Sequence, residues 1–133
     1  RINILGRTKT LSSEIKKTLV SVAKKTKENK KLIVNLAINY GSKNEIIDSI
    51  RKVNSKTKKI NETSIGSNFY INLPFPDILI RTGGKKRLSN FMLWQLAYSE
   101  LYFLDKLWPD FNEKDLKKVI NNYKLIKRNF GRI

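Results

Sequence analysis

The chain of 133 residues contains no cysteine and no histidine. Without thiols it has neither disulfides nor thiolate metal sites, and without imidazole it lacks zinc chemistry and a histidine general base. No run of 18 apolar residues occurs, so no membrane-spanning helix is expected. The first residues also lack the charged, apolar, then small-residue order of a secretory signal. Acidic residues are scarce, 11 against 28 Lys and Arg, which leaves a formal net charge of +17. Chemistry on this chain must therefore come from carboxylates, cations, hydroxyls, backbone amides or a hard metal ion.

What is present begins with that cationic excess. It fits a nucleic-acid footprint, but most of it is lysine spread among asparagine and isoleucine, as on a solvated face. At 40% hydrophobic residues the chain can bury a core. Its length suits one domain or part of one.

Ile2-Asn3-Ile4-Leu5-Gly6 reads as a short strand. Ser12 is a natural N-cap for a helix that places Ile15, Leu19, Val22 and Ala23 on one face, with Glu14 in its first turn. Leu32 to Ile38 is nearly continuous in apolar residues, which predicts a strand buried on both faces. After the turn Asn39-Tyr40-Gly41-Ser42, a helix carries Ile46, Ile47, Ile50 and Val53 at helical spacing. Asn54 to Asn68 reads as an exposed connection with a short helical turn. Pro74 and Pro76 lead into another buried strand, Ile78-Leu79-Ile80. Phe91 to Phe103 is rich in aromatics, and Phe91, Trp94, Tyr98, Tyr102 and Trp108 read as core. A last helix begins at Asn112, with Asp115 completing a capping-box pattern and Leu116, Val119, Ile120 and Tyr123 forming its apolar stripe. Strands alternating with helices predict an α/β fold with a mainly parallel β-sheet and helices packed on both faces. Only about three strands are visible, so further strands on the N-terminal side are expected outside these residues.

The chemistry concentrates where the third strand ends, in Arg81-Thr82-Gly83-Gly84-Lys85-Lys86-Arg87-Leu88-Ser89-Asn90. Ligands of open α/β sheets bind beyond the carboxyl ends of the strands. Two glycines let the backbone approach an anion, and their amides can form an anion-binding nest. Arg81 and Arg87 can fork onto phosphate oxygens, and Ser89 can donate one more hydrogen bond. A helix starting after Asn90 would add its free amides. The plain alternative is an ordinary charged turn. A nucleotide P-loop is excluded, because Lys86 stands where serine or threonine is required. Glu100 lies among apolar and aromatic residues, where a carboxylate is either in a structural salt bridge or a Mg²⁺ ligand.

These residues carry a family resemblance. Pro76-Asp77-Ile78-Leu79-Ile80-Arg81-Thr82-Gly83-Gly84, continuing through Arg87-Leu88-Ser89-Asn90-Phe91-Met92-Leu93-Trp94-Gln95-Leu96-Ala97-Tyr98-Ser99-Glu100-Leu101-Tyr102-Phe103 to Leu107-Trp108-Pro109-Asp110-Phe111, resembles the C-terminal signature of undecaprenyl diphosphate synthases, the bacterial cis-prenyltransferases. Asn35 to Gly41 and the terminal Phe130-Gly131 resemble the same family in the same order. The resemblance implies an enzyme that condenses isopentenyl diphosphate onto an allylic diphosphate, leaving cis double bonds and requiring Mg²⁺. It implies that Arg81, Arg87 and Ser89, with the Leu88 backbone, hold the isopentenyl diphosphate, and that Glu100 is associated with the metal. It also implies a homodimeric α/β sandwich with a hydrophobic tunnel, the aromatic segment lying near the dimer interface. The expected place is cytoplasmic, with peripheral membrane contact through the lipid product and no nucleic-acid partner.

Two departures matter. The family's Asp and Gly-Asn-Gly-Arg-Trp run, which binds the allylic diphosphate and metal, is absent from these residues. Residues 1–133 are thus expected to be the C-terminal part of a single domain, inactive alone, with the catalytic residues upstream of Arg1. Asn129 stands where the family usually has an arginine that reaches the partner subunit's site, with Arg128 and Arg132 nearby. The competing readings are a non-catalytic accessory subunit, which would not need the full set of clamp residues, and a basic nucleic-acid-binding module.

Overall fold

A computed structural model of the chain describes residues 1–55 and 59–127. Strand β1 (Ile2–Leu5) and strand β2 (Val34–Ala37) pair in parallel, Ile2 opposite Val34 and Leu5 opposite Ala37. A parallel pair needs a crossover, and helix α1 (Ser13–Lys25) supplies it. Ser12 caps α1 as expected, its side chain accepting from the Ile15 amide. Helix α2 (Ser42–Ser55) follows β2, and the short helix α3 (Glu62–Gly66) starts at an Asn61–Ser64 capping box. These elements lie in one compact unit, Arg1–Leu73.

Two expectations for this unit are corrected. Strand β2 is not buried on both faces: Val34 and Leu36 are each 39% exposed. Its ladder has one partner strand among the described residues, and an apolar strand is hidden only when layers cover both its faces. The inner stripe of α2 is also more polar than its isoleucines suggest. Ser42, Glu45, Ser49 and Val53 are buried, whereas Ile47 is 45% exposed. The reason is hydrogen bonding. Ser49 donates to the Ile65 carbonyl at 2.5 Å, and Glu45 accepts from the Tyr40 hydroxyl at 2.5 Å and the Tyr70 amide at 3.0 Å. Buried polar groups are tolerated when bonded in this way.

The second unit is Pro74–Ile133. Strand β3 (Ile78–Arg81) pairs in parallel with strand β4 (Glu100–Phe103), Ile78 opposite Glu100 and Arg81 opposite Phe103. Helix α4 (Glu113–Lys124) begins at the expected capping box, in which Asn112 and Asp115 satisfy each other's backbone amides. Leu96 and Val119 are the buried apolar residues of this unit among the described residues. None of the five aromatics expected in the core, Phe91, Trp94, Tyr98, Tyr102 and Trp108, is fully buried. Trp108 is 72% exposed, stacked on Phe111 at a centroid distance of 5.8 Å, and Tyr98 is 59% exposed. No helix of the described residues is long and apolar enough to cross a membrane.

Candidate functional site

The carboxyl end of β3 opens into a cavity of about 320 Å³. Arg81, Thr82, Arg87, Leu88, Ser89 and Phe91 line it, so the structure brings all four loop residues singled out from the sequence to one place. Parallel pairing fixes this position, because Arg81 is the last residue of β3 and its side chain emerges where the ladder stops. Arg81 Nη1 donates to Ser89 Oγ at 3.0 Å and to the Arg87 carbonyl, closing the loop on itself. A guanidinium has five N–H donors, so this closure uses only part of its capacity. Arg87 and Ser89 are exposed, and Arg81 and Leu88 half-buried.

The loop bends back through left-handed backbone at Ser89 (φ 48°), Asn90 (φ 63°) and Met92 (φ 45°). The expected helix after Asn90 is therefore not formed; bends and turns occupy residues 91–98. Consecutive helical φ/ψ cannot start through positive φ values, so no helix starts here to face the cavity.

The glycine amides are also not the free nest that the sequence suggests. Gly83 N–H donates to the Lys106 carbonyl at 2.8 Å, and Gly84 N–H to the Leu104 carbonyl at 2.9 Å. Both glycines have positive φ, +87° and +69°, which turns these amides toward the segment after β4. A Cβ at Gly84 would lie 3.3 Å from Asp105 Oδ1. The glycines thus tie the loop down, and the amides of Arg87, Leu88 and Ser89 are among the loop amides that donate to no backbone carbonyl among the described residues. Sequence reasoning missed Thr82 and the Leu104–Lys106 segment. The aromatic-rich run hid β4, whose pairing with β3 puts that segment beside the glycines.

Glu100 is half-buried at the first position of β4, and no ion pair among the described residues includes it. The structural salt bridge is thus not formed there. Register sets it opposite Ile78, three residues back from Arg81, about 10 Å along the strand. No three acidic side chains gather into a metal site among the described residues. Asn129, Arg128, Arg132 and the Phe130-Gly131 pair lie outside the described residues.

Residues 1–131 match the family described as "Putative undecaprenyl diphosphate synthase". The chain belongs to that family. It is 42% identical over 132 residues to an isoprenyl transferase of Fusobacterium nucleatum, covering 98% of this chain and 57% of that protein. An isoprenyl transferase of Thermotoga maritima is 44% identical over 137 residues, covering 98% of this chain and 59% of that protein. Among solved structures, a "probable undecaprenyl diphosphate synthase" from Campylobacter jejuni superposes with a TM-score of 0.93 at 36% identity, over 99% of this chain and 63% of the other. Lavandulyl diphosphate synthase from Lavandula x intermedia, in complex with dimethylallyl diphosphate, gives 0.91 at 32% identity, over 98% and 60%. The family fold is the α/β architecture with parallel strands expected from the sequence. The chain spans just under three-fifths of the length of these isoprenyl transferases.

Proposed function

We propose that this chain carries the isopentenyl-diphosphate site of a cis-prenyltransferase that extends an allylic diphosphate into a long polyprenyl diphosphate, such as the undecaprenyl lipid carrier. One observation carries the reading: Arg81, Arg87, Leu88 and Ser89 converge on one cavity at the carboxyl end of a parallel strand. A diphosphate presents several oxygens within a few ångströms, and planar guanidinium forks match that geometry better than ammonium groups do. The free N–H groups of Arg81, the Arg87 side chain, the Ser89 hydroxyl and the Leu88 amide are the donors assigned to it. The family membership and a relative's binding of an allylic diphosphate support the same class of ligand. In this reading the loop orients the nucleophilic substrate, and groups outside these residues activate the primer; the chain alone is expected to be inactive.

Glu100 is assigned to Mg²⁺, which when bound would offset phosphate charge. The protein is proposed to work as a homodimer at the inner face of the membrane, since a growing polyprenyl chain partitions into lipid. Calorimetric titration of isopentenyl diphosphate into the chain tests the clamp. Arg81→Ala and Arg87→Ala should each weaken binding about ten- to a hundredfold, the scale of a hydrogen bond to a charged group. Affinities equal to the parent's would remove the assignment. In the complete enzyme, Glu100→Gln should raise the Mg²⁺ concentration needed for half-maximal turnover, and an unchanged requirement would release Glu100 from the metal.

A further inference from the structure

We infer that the ion pair between Lys106 and Asp115 is a positioning device that holds the loop after β3 in its binding conformation. The loop's mechanics stand by themselves, and only the choice of ligand rests on the diphosphate reading above. Three backbone hydrogen bonds lace the loop to the segment after β4. Leu104 N–H donates to the Arg81 carbonyl at 2.8 Å, Gly84 N–H returns to Leu104 at 2.9 Å, and Gly83 N–H reaches Lys106 at 2.8 Å. Asp105 closes over Gly84, leaving little room for adjustment. Where residues 104–106 go, Arg81 to Gly84 must follow.

That segment is tied in turn to α4 by the side chain of Lys106. Lys106 Nζ donates to both carboxylate oxygens of Asp115, each at 2.9 Å. Asp115 is itself fixed, because it is the third residue of α4 and Oδ2 accepts from the Asn112 amide at 3.0 Å. A carboxylate in the first turn is further favoured by the helix dipole. Lys106 therefore joins two parts of the unit: its carbonyl holds the glycine loop and its ammonium holds the start of α4. It does not line the cavity, so it acts through the loop rather than on a ligand. Preorganised donors bind better because less order must be created on binding, and that is the contribution assigned to the pair.

Amide hydrogen exchange measured by NMR on the whole chain, with a parallel titration of inorganic pyrophosphate, tests this. In Lys106→Met the Gly83 and Gly84 amides should exchange about two- to fivefold faster, the scale of a partly exposed ion pair. Pyrophosphate affinity should fall by a similar factor. The Ile38 amide, bonded to Leu5 in the other unit, serves as the reference for intact folding. Lys106→Arg should restore both readouts. Asp115→Asn, which keeps an acceptor for the helix cap but removes the charge, should behave like Lys106→Met. Unchanged exchange at both glycines in Lys106→Met and Asp115→Asn overturns the inference. Faster exchange in both variants, together with a parent chain that binds no pyrophosphate, upholds the tether and defeats the diphosphate reading instead.

Discussion

At Gly6 a single hydrogen occupies the space where a side chain would strike the main chain. The residue follows β1 with φ at +106°, and a Cβ there would lie 2.3 Å from the Ile38 carbonyl oxygen. That contact is with backbone, which cannot rotate away as a flexible side chain can. Gly6→Ala is expected to destabilise the first unit by at least about 2 kcal/mol, combining backbone strain with the clash. Urea denaturation followed by far-ultraviolet circular dichroism measures it, and a loss below about 0.5 kcal/mol would contradict the geometry. Gly84 has the same kind of constraint in a milder form, since its neighbour is a carboxylate oxygen at 3.3 Å. The role of the Gly83-Gly84 pair was half legible in the sequence. Two glycines announce positive φ, but whether their amides face a ligand or another segment depends on what lies opposite.

At the scale of elements, Asp48 ties three parts of the first unit together. From α2 it accepts a hydrogen bond from the Tyr70 hydroxyl at 2.8 Å and a two-pronged contact from Arg7, which follows β1. The Tyr70 hydrogen bond, then that of Arg7, holds the Asp48 carboxyl below its ordinary range. Burial pushes Tyr70 upward, so it stays protonated as the donor. Because the Asp48 value is lowered in the folded state, its stabilisation is fully present above the ordinary carboxylate range and is lost as pH falls through the lowered value. Thermal melting between about pH 6 and pH 2 should show this loss, and Asp48→Asn should flatten the acid side of the curve. An unchanged acid slope in that variant would mean that the cluster does not couple to folding. The caps at Ser12 and Asn112 were legible because they depend on neighbours three residues away. Strand β4 was not, because Leu-Tyr-Phe following a run of apolar and aromatic residues gives no period by which to tell a strand from packed turns.

For the whole molecule, the question is what its exposed apolar side chains meet. The second unit leaves Tyr98, Leu101, Leu107 and Trp108 between 43% and 72% exposed. Large apolar side chains left open in this way often mark interfaces, and the proposed homodimer would cover them. Sedimentation velocity across a concentration series should show reversible dimerisation, and Leu101→Arg combined with Trp108→Arg should abolish it. A parent chain that stays monomeric at high concentration would remove the dimer from the proposal. The net charge of +17 gives a separate check. Filter binding to generic duplex DNA at physiological salt is expected to show no tight affinity, whereas tight binding with a steep salt dependence would favour the nucleic-acid reading.

By itself the amino-acid sequence determined the α/β class, the helix caps and the four residues that gather at the end of β3. The caps, Arg81, Arg87 and Ser89 follow from side-chain type at short spacing, the class from the alternation of strands and helices, and Leu88 from the family resemblance. The tertiary structure alone decided that the glycine amides bind the segment after β4, that α2 turns serines and a glutamate inward, and that Glu100 stands at the far end of its ladder from Arg81. Those outcomes depend on which strands pair and in what register, and register joins residues that are distant in the chain and carry no local mark of the partner they will meet.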